Sequence, residues 1–164
     1  MSWLGFALMT VVSWGLYGVF LHTGQTAMAD PVSGRYKAFL FVGLAYFLTA
    51  VLAPLLVLKV QGASLSFPGK GMAWSLLAGT VGAIGAFCVL LAFGAKGSPS
   101  VVMSIVFAGA PIVNALAAWV FHPTKLRWQF LVGLLLAALG AFLVTLYRPV
   151  PAPAPAATTM RNSG

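Results

Sequence analysis

Ten charged side chains cut a chain of 164 residues into five uncharged stretches, at 1–29, 38–58, 71–95, 97–124 and 128–147. Each is long enough for the roughly 20 residues with which an α-helix crosses a hydrocarbon core about 30 Å thick. Backbone amides find no water in lipid, so a spanning segment is either a helix or a strand of a closed barrel. Barrel strands alternate apolar and polar residues over roughly ten positions, and runs such as Leu131 to Val144 show no such alternation. The chain therefore reads as all-α: a polytopic integral membrane protein built as a bundle of five transmembrane helices. The spans are expected at about 3–22, 38–58, 73–94, 101–121 and 129–147, giving a membrane domain over 1–147. The remainder, 148–164, is rich in Pro and Ala and reads as a disordered, polyproline-type tail.

Composition excludes the soluble alternatives. Hydrophobic residues make up 61 % of the chain and charged residues 6 %, with a mean hydropathy of +1.01. A soluble domain carries about 25 % charge, and disorder needs low hydrophobicity. The net charge of +8 comes from basic residues placed singly or in pairs between apolar runs. That placement suits lipid headgroups and not nucleic acid. The lipid bilayer is thus the first expected partner.

Features at the span ends agree. Trp3, Tyr36, Trp74, Trp119, Trp128 and Tyr147 lie within about three residues of a boundary, where amphipathic rings prefer the headgroup level. Asp30 and Pro31 mark a turn in the first loop, and Gly97, Ser98 and Pro99 a tight link between the third and fourth spans. The first span lacks a basic leading segment and is longer than a signal-peptide core, so it is expected to stay. Short links place spans 3, 4 and 5 as antiparallel neighbours, and the compact loops fit a bacterial inner membrane. Basic residues divide almost evenly between the two sides. Lys59, Lys70, Lys125 and Arg127 stand on one, and Arg35, Lys37, Lys96 and Arg148 on the other, with Arg161 further out. This leaves two readings: orientation set by something other than the charges, or dual topology with antiparallel homodimers.

Polar groups inside the spans are the main functional clue. The one acid, Asp30, falls in a loop, so no mid-span carboxylate is present to exchange protons. Pro111 lies at the centre of the fourth span with Asn114 about one turn on. Pro removes a helix hydrogen bond, and a kinked or broken helix beside a mid-depth amide can hold a solute; the alternative is an interhelical hydrogen bond beside a plain kink. In the first span Trp14 and Tyr17 share a face at i, i+3, next to Gly15 and Gly18. They either line a pocket for a sugar-like or amphipathic ligand or pack tightly. Tyr46, Thr49 and Pro54 mark a second kink. Span 3 carries Ala78, Gly82 and Ala86 at four-residue spacing and Gly79, Gly82 and Gly85 at three, and span 5 Gly133, Ala137 and Ala141. Both read as small-residue faces for helix packing. His22 and His122 stand at span ends as interfacial groups, or as a gate or pH sensor. Single Cys88 reads as a buried small residue. No metal-ligand set and no Ser/His, paired-Asp or His/Glu constellation is spaced for chemistry, so no cofactor, metal or enzymatic role is expected.

The order of these features resembles the drug/metabolite transporter superfamily, in its EamA-type five-helix repeat. The resemblance rests on Trp14 and Gly15 in the first span, and on the small-residue third span that ends Leu91, Ala92, Phe93, Gly94 and Ala95 before the turn at Lys96 to Pro99. It rests also on Ala110 and Pro111 in span 4, on Trp119, Val120 and Phe121 at its end, and on Leu126, Gln129, Gly133 and Gly140 into span 5. It covers about 1–147. Two departures stand out: the family usually has a Glu after span 4, where His122, Pro123, Thr124 and Lys125 stand here, and most relatives join two repeats. The resemblance implies a transporter or transporter subunit for a small solute, working as a homodimer or paired with another single-repeat chain by alternating access. Trp14, Tyr17, Pro111 and Asn114 are the expected substrate-binding residues. The competing class is a non-transporting scaffold or assembly subunit, favoured by the missing carboxylates.

Overall fold

The structure, a computed structural model, describes residues 2–121 and 127–147. Five helices, each long and apolar enough to cross a membrane, make up the fold: α1 (Trp3–Ala27), α2 (Gly34–Val60), α3 (Gly69–Gly94), α4 (Pro99–Phe121) and α5 (Trp128–Leu146). No strand occurs among the described residues. The protein is an all-α, multi-pass membrane protein. The expectations placed on His122 to Lys125, on Leu126 and on the segment 148–164 fall outside the described residues.

Helix ends are closed locally, as the unpaired terminal amides and carbonyls require. Ser2 caps α1 by accepting from the Gly5 amide. At the C-terminal ends of α1, α2 and α3 the chain reverses through a left-handed residue. After α2 this is Gly62, at φ +64°, where the Ala63 amide donates to Leu58 O and the Gly62 amide to Lys59 O. After α3 the same pair of bonds forms, from Gly97 to Ala92 O and from Lys96 to Phe93 O. There the left-handed residue is Lys96, at φ +68°, and not the adjacent glycine. Ala29 plays this part after α1, at φ +51°. Both arrangements match the glycine-type helix stop, at some conformational cost where the residue is not glycine.

One helix is locally widened. Over Leu48–Leu52, α2 turns as a π-helix, and the Ala53 amide reaches back five residues to Leu48 O. Pro54 follows at once. Its ring has no N–H and presses on the carbonyl four residues back, and a wider turn gives that carbonyl room. Pro111, by contrast, sits inside α4 without ending it, and α4 runs as a single helix from Pro99 to Phe121.

α1 is the hub of the bundle. It packs on α2, α3 and α4; α2 also packs on α3, α4 on α3, and α5 on α4 alone among the described residues. The core consists of Leu21 from α1, Val89, Leu90 and Phe93 from α3, and Met103 from α4. These positions come from the end of α1, the end of α3 and the start of α4, so the tightest packing lies at the membrane face that carries the 28–33 and 95–98 turns. Leu90 is the most enclosed side chain. Met103 reaches α1 because residue 18 is glycine: a Cβ there would stand 2.6 Å from Met103 Cγ. Most other large apolar side chains face outward, which in lipid needs no cover because acyl chains are as apolar as leucine.

Two expectations are corrected here. Cys88 is exposed at membrane depth and is not a packed core residue; the buried face of α3 is formed by Ala86, Val89, Leu90 and Phe93, and residue 88 falls off that face. The glycines read as helix-packing faces also meet no partner among the described residues, although Ala86, on the face of Ala78 and Gly82, is buried. No neighbouring atom of the described residues lies within 4 Å of a Cβ placed at Gly79, Gly82, Gly85 or Gly133.

Candidate functional site

Most intramembrane hydroxyls are satisfied by their own helix. Thr10 donates to Phe6 O, Thr49 to Ala45 O, Thr80 to Leu76 O, Ser104 to Ser100 O and Thr145 to Ala141 O. Each bond spans four residues, the usual way a hydroxyl hides in lipid. Ser104 thereby spends its donor on its own helix and keeps only its acceptor for a solute.

Tyr17 behaves differently. Its ring leans on the core formed around Leu21 and Leu90, and its hydroxyl is buried with no hydrogen-bond partner among the described residues. A buried hydroxyl without a partner costs free energy, so this oxygen is poised to accept or donate to something that enters. Tyr17 and Ser13 are the side-chain hydroxyls on a groove of about 550 Å³ between α1 and α2, whose other walls include Leu16, Phe20, Phe41 and Val42. That volume is in the range of small-ligand clefts, which combine apolar walls with a few polar groups. Trp14 packs against Tyr17, with ring centroids 5.9 Å apart and the planes tilted by 46°. The i, i+3 spacing brings the two rings together along α1.

Asn114 and Pro111 are placed elsewhere. Both are exposed on α4. Asn114 lines a separate cavity of about 630 Å³ with Lys70, Trp74, Ala117, Ala118 and Phe121, where Trp74 meets Phe121 edge to face at 6.2 Å. Pro111 is not among the residues lining either space. Within one chain the aromatic pair of α1 and the amide of α4 thus line different cavities.

A third cleft, of about 400 Å³, was not singled out by sequence reasoning. It lies at the end of α1 and is lined by His22, Gln25, Thr26, Asp30, Arg35 and Phe93, among others. Asp30 organises the turn beside it. Its Oδ1 accepts the amides of Val32 and Ser33, and its Oδ2 accepts Lys37 Nζ at 2.7 Å. The Lys37 hydrogen bond, and then the Ser33 amide, hold this carboxyl down at about 2. Arg35, Gln25 and His22 lie far from Phe93 in sequence, so spacing alone could not bring them together. The available signal was the lone acid in a basic chain.

Known families settle the class. The model of the EamA-like transporter family matches residues 1–146, a stretch that takes in all five helices. The chain belongs to the EamA-like transporter family. No curated protein and no solved structure matches it. EamA-like proteins are membrane transporters and not enzymes, which places this chain among transport proteins at the level of its family. In this EamA-like chain Ser13 and Tyr17 line the α1–α2 groove, and Trp14 packs against Tyr17.

Proposed function

We propose that the chain carries a small neutral or amphipathic metabolite across a bacterial inner membrane, with two copies forming the working unit. The observation that carries this reading is the family match across all five helices. Tyr17 supports the site: its buried hydroxyl has no partner among the described residues, and the residue lines the α1–α2 groove with its ring against Trp14. Pairing is supported by α3, whose Gly79, Gly82 and Gly85 meet nothing within the described chain. Small residues of this kind let two helices approach backbone to backbone. A second copy would also supply a second Asn114 and a second α1 groove, and rocking of one five-helix unit against the other would expose the site alternately to each side.

Uptake into cells or vesicles tests the site. Trp14→Ala, Tyr17→Phe and Asn114→Leu are each expected to lower uptake of the responsive solute about tenfold, corresponding to about 1.4 kcal/mol of lost interaction, at unchanged membrane levels. Full uptake by all three variants would place the solute elsewhere. A compact pair in mild detergent supports the two-copy unit, whereas a stable monomer that binds no solute supports a scaffold role.

A further inference from the structure

The cleft at the end of α1 has an electrostatic imbalance. The chain has a single acidic side chain against nine Lys and Arg. That acid, Asp30, is fully engaged by Lys37 and by two backbone amides. Arg35, half-buried on the same cleft, is left with no carboxylate of this chain's side chains to pair with. A guanidinium withdrawn from water without a counter-charge is costly, and its planar fork of N–H donors suits an oxyanion.

The surroundings hold this fork in place. A Cβ at Gly94 would stand 2.5 Å from Arg35 Nη1 and 3.1 Å from its Cζ, so the guanidinium lies against the bare backbone at the end of α3. Its Cζ also sits 5.7 Å from the Tyr36 ring, and Tyr36 stacks on Phe87 at 6.2 Å. Across the cleft the His22 ring is fixed edge-on to Phe93 at 5.6 Å. Gln25 Nε2 donates to Leu90 O, tying α1 to α3. Thr26 donates to the carbonyls of its own helix. The side-chain donors left for a ligand are therefore the Arg35 fork, an N–H of the His22 ring and the second N–H of Gln25 Nε2, while the Asp30 charge at the rim is matched by Lys37.

We propose that this cleft binds a phosphate group, held by the Arg35 guanidinium and the His22 ring at the membrane face where α1 ends and α2 begins. Its volume of about 400 Å³ admits a phosphate ester and not the bare ion alone. The phosphate belongs either to a soluble ester or to a lipid headgroup, since the cleft opens at headgroup depth. This site is separate from the α1–α2 groove and is read by binding, without any measurement of flux.

The test uses the full chain in detergent micelles. The soluble probes are inorganic phosphate and glycerol 3-phosphate, followed by thermal shift. The lipid probe is phosphatidylglycerol, followed by thermal shift and by the number of lipids retained in native mass spectrometry. The wild type should be stabilised by a soluble probe if the ligand is a soluble ester, and by phosphatidylglycerol alone if it is a headgroup. In either case Arg35→Gln should weaken that response at least tenfold. Lys96→Gln, which removes a charge from the same membrane face outside the cleft, should respond as the wild type does. If Arg35→Gln does not fold, Arg35→Lys is read in its place; it keeps the charge but loses the fork, and at least threefold weaker binding is expected. The proposal is overturned if no probe shifts the wild type, if the Arg35 variant read responds like the wild type, or if Lys96→Gln loses as much as Arg35→Gln.

Discussion

At the scale of single residues, lipid sorts polar groups by whether they can be satisfied at home. Threonine and serine hydroxyls fold back onto carbonyls four residues earlier, whereas the Tyr17 hydroxyl, carried far from its own backbone by the ring, cannot. This is why Tyr17, more than Ser104, is the contact tested in the proposed site. The pairing of Trp14 with Tyr17 was legible from their spacing along one helix. Their separation from Asn114 was not, because it depends on which faces of α1 and α4 meet. Two residues give direct predictions. Asp30 is held at about 2, below the ordinary carboxylate value of 3.8, so its contribution to the α1–α2 turn is complete above about pH 4 and is lost as the pH falls toward 2. Asp30→Asn should melt below the wild type at pH 7, and the two melting curves should converge between pH 4 and pH 2. Lys96 occupies a left-handed conformation that favours glycine. Lys96→Gly should raise stability by about 0.5–1 kcal/mol after the entropic cost of glycine is set against the relieved strain, read as a higher denaturant midpoint.

At the scale of elements, the helices were legible because charge and hydrocarbon do not mix. The gaps between charged residues located all five, and each observed helix either contains or nearly coincides with the span expected for it. What the sequence left hidden was the response of each helix to its proline. Pro111 suggested the stronger break, yet α4 continues through it, while the π-turn appears before Pro54. A lipid-facing helix can absorb a missing hydrogen bond in several ways, and residue type alone does not choose among them. Contacts between elements were hidden in the same way. Gly18 and Gly82 look alike in sequence, but only Gly18 is crossed by another helix, through Met103. Gly18→Val should therefore force α1 and α4 apart and cost about 1–3 kcal/mol, typical of overpacking, measured by unfolding in micelles. Gly82→Val, which meets open space in the described chain, should leave the stability of the monomer nearly unchanged.

At the scale of the whole molecule, the packing is one-sided. The enclosed core gathers at the face that carries the 28–33 and 95–98 turns, and the glycine ridge of α3 remains uncovered by the described residues. A small-residue ridge left open by the described residues is the surface the proposed pairing of two copies would use. Pairing through that ridge predicts that Gly82→Cys, in a Cys88→Ser background, cross-links into a dimer under mild oxidation, while Gly82→Leu lowers the dimer fraction without unfolding the monomer. The central claim, that two copies together move a solute, is tested most directly by flux into proteoliposomes as the number of chains per vesicle is lowered. If pairs are the working unit, the active fraction of vesicles falls more steeply than the chain density, approaching its square at high dilution. A linear decline would show that one chain transports alone, and no flux of any solute at any density would contradict transport by two copies of this chain.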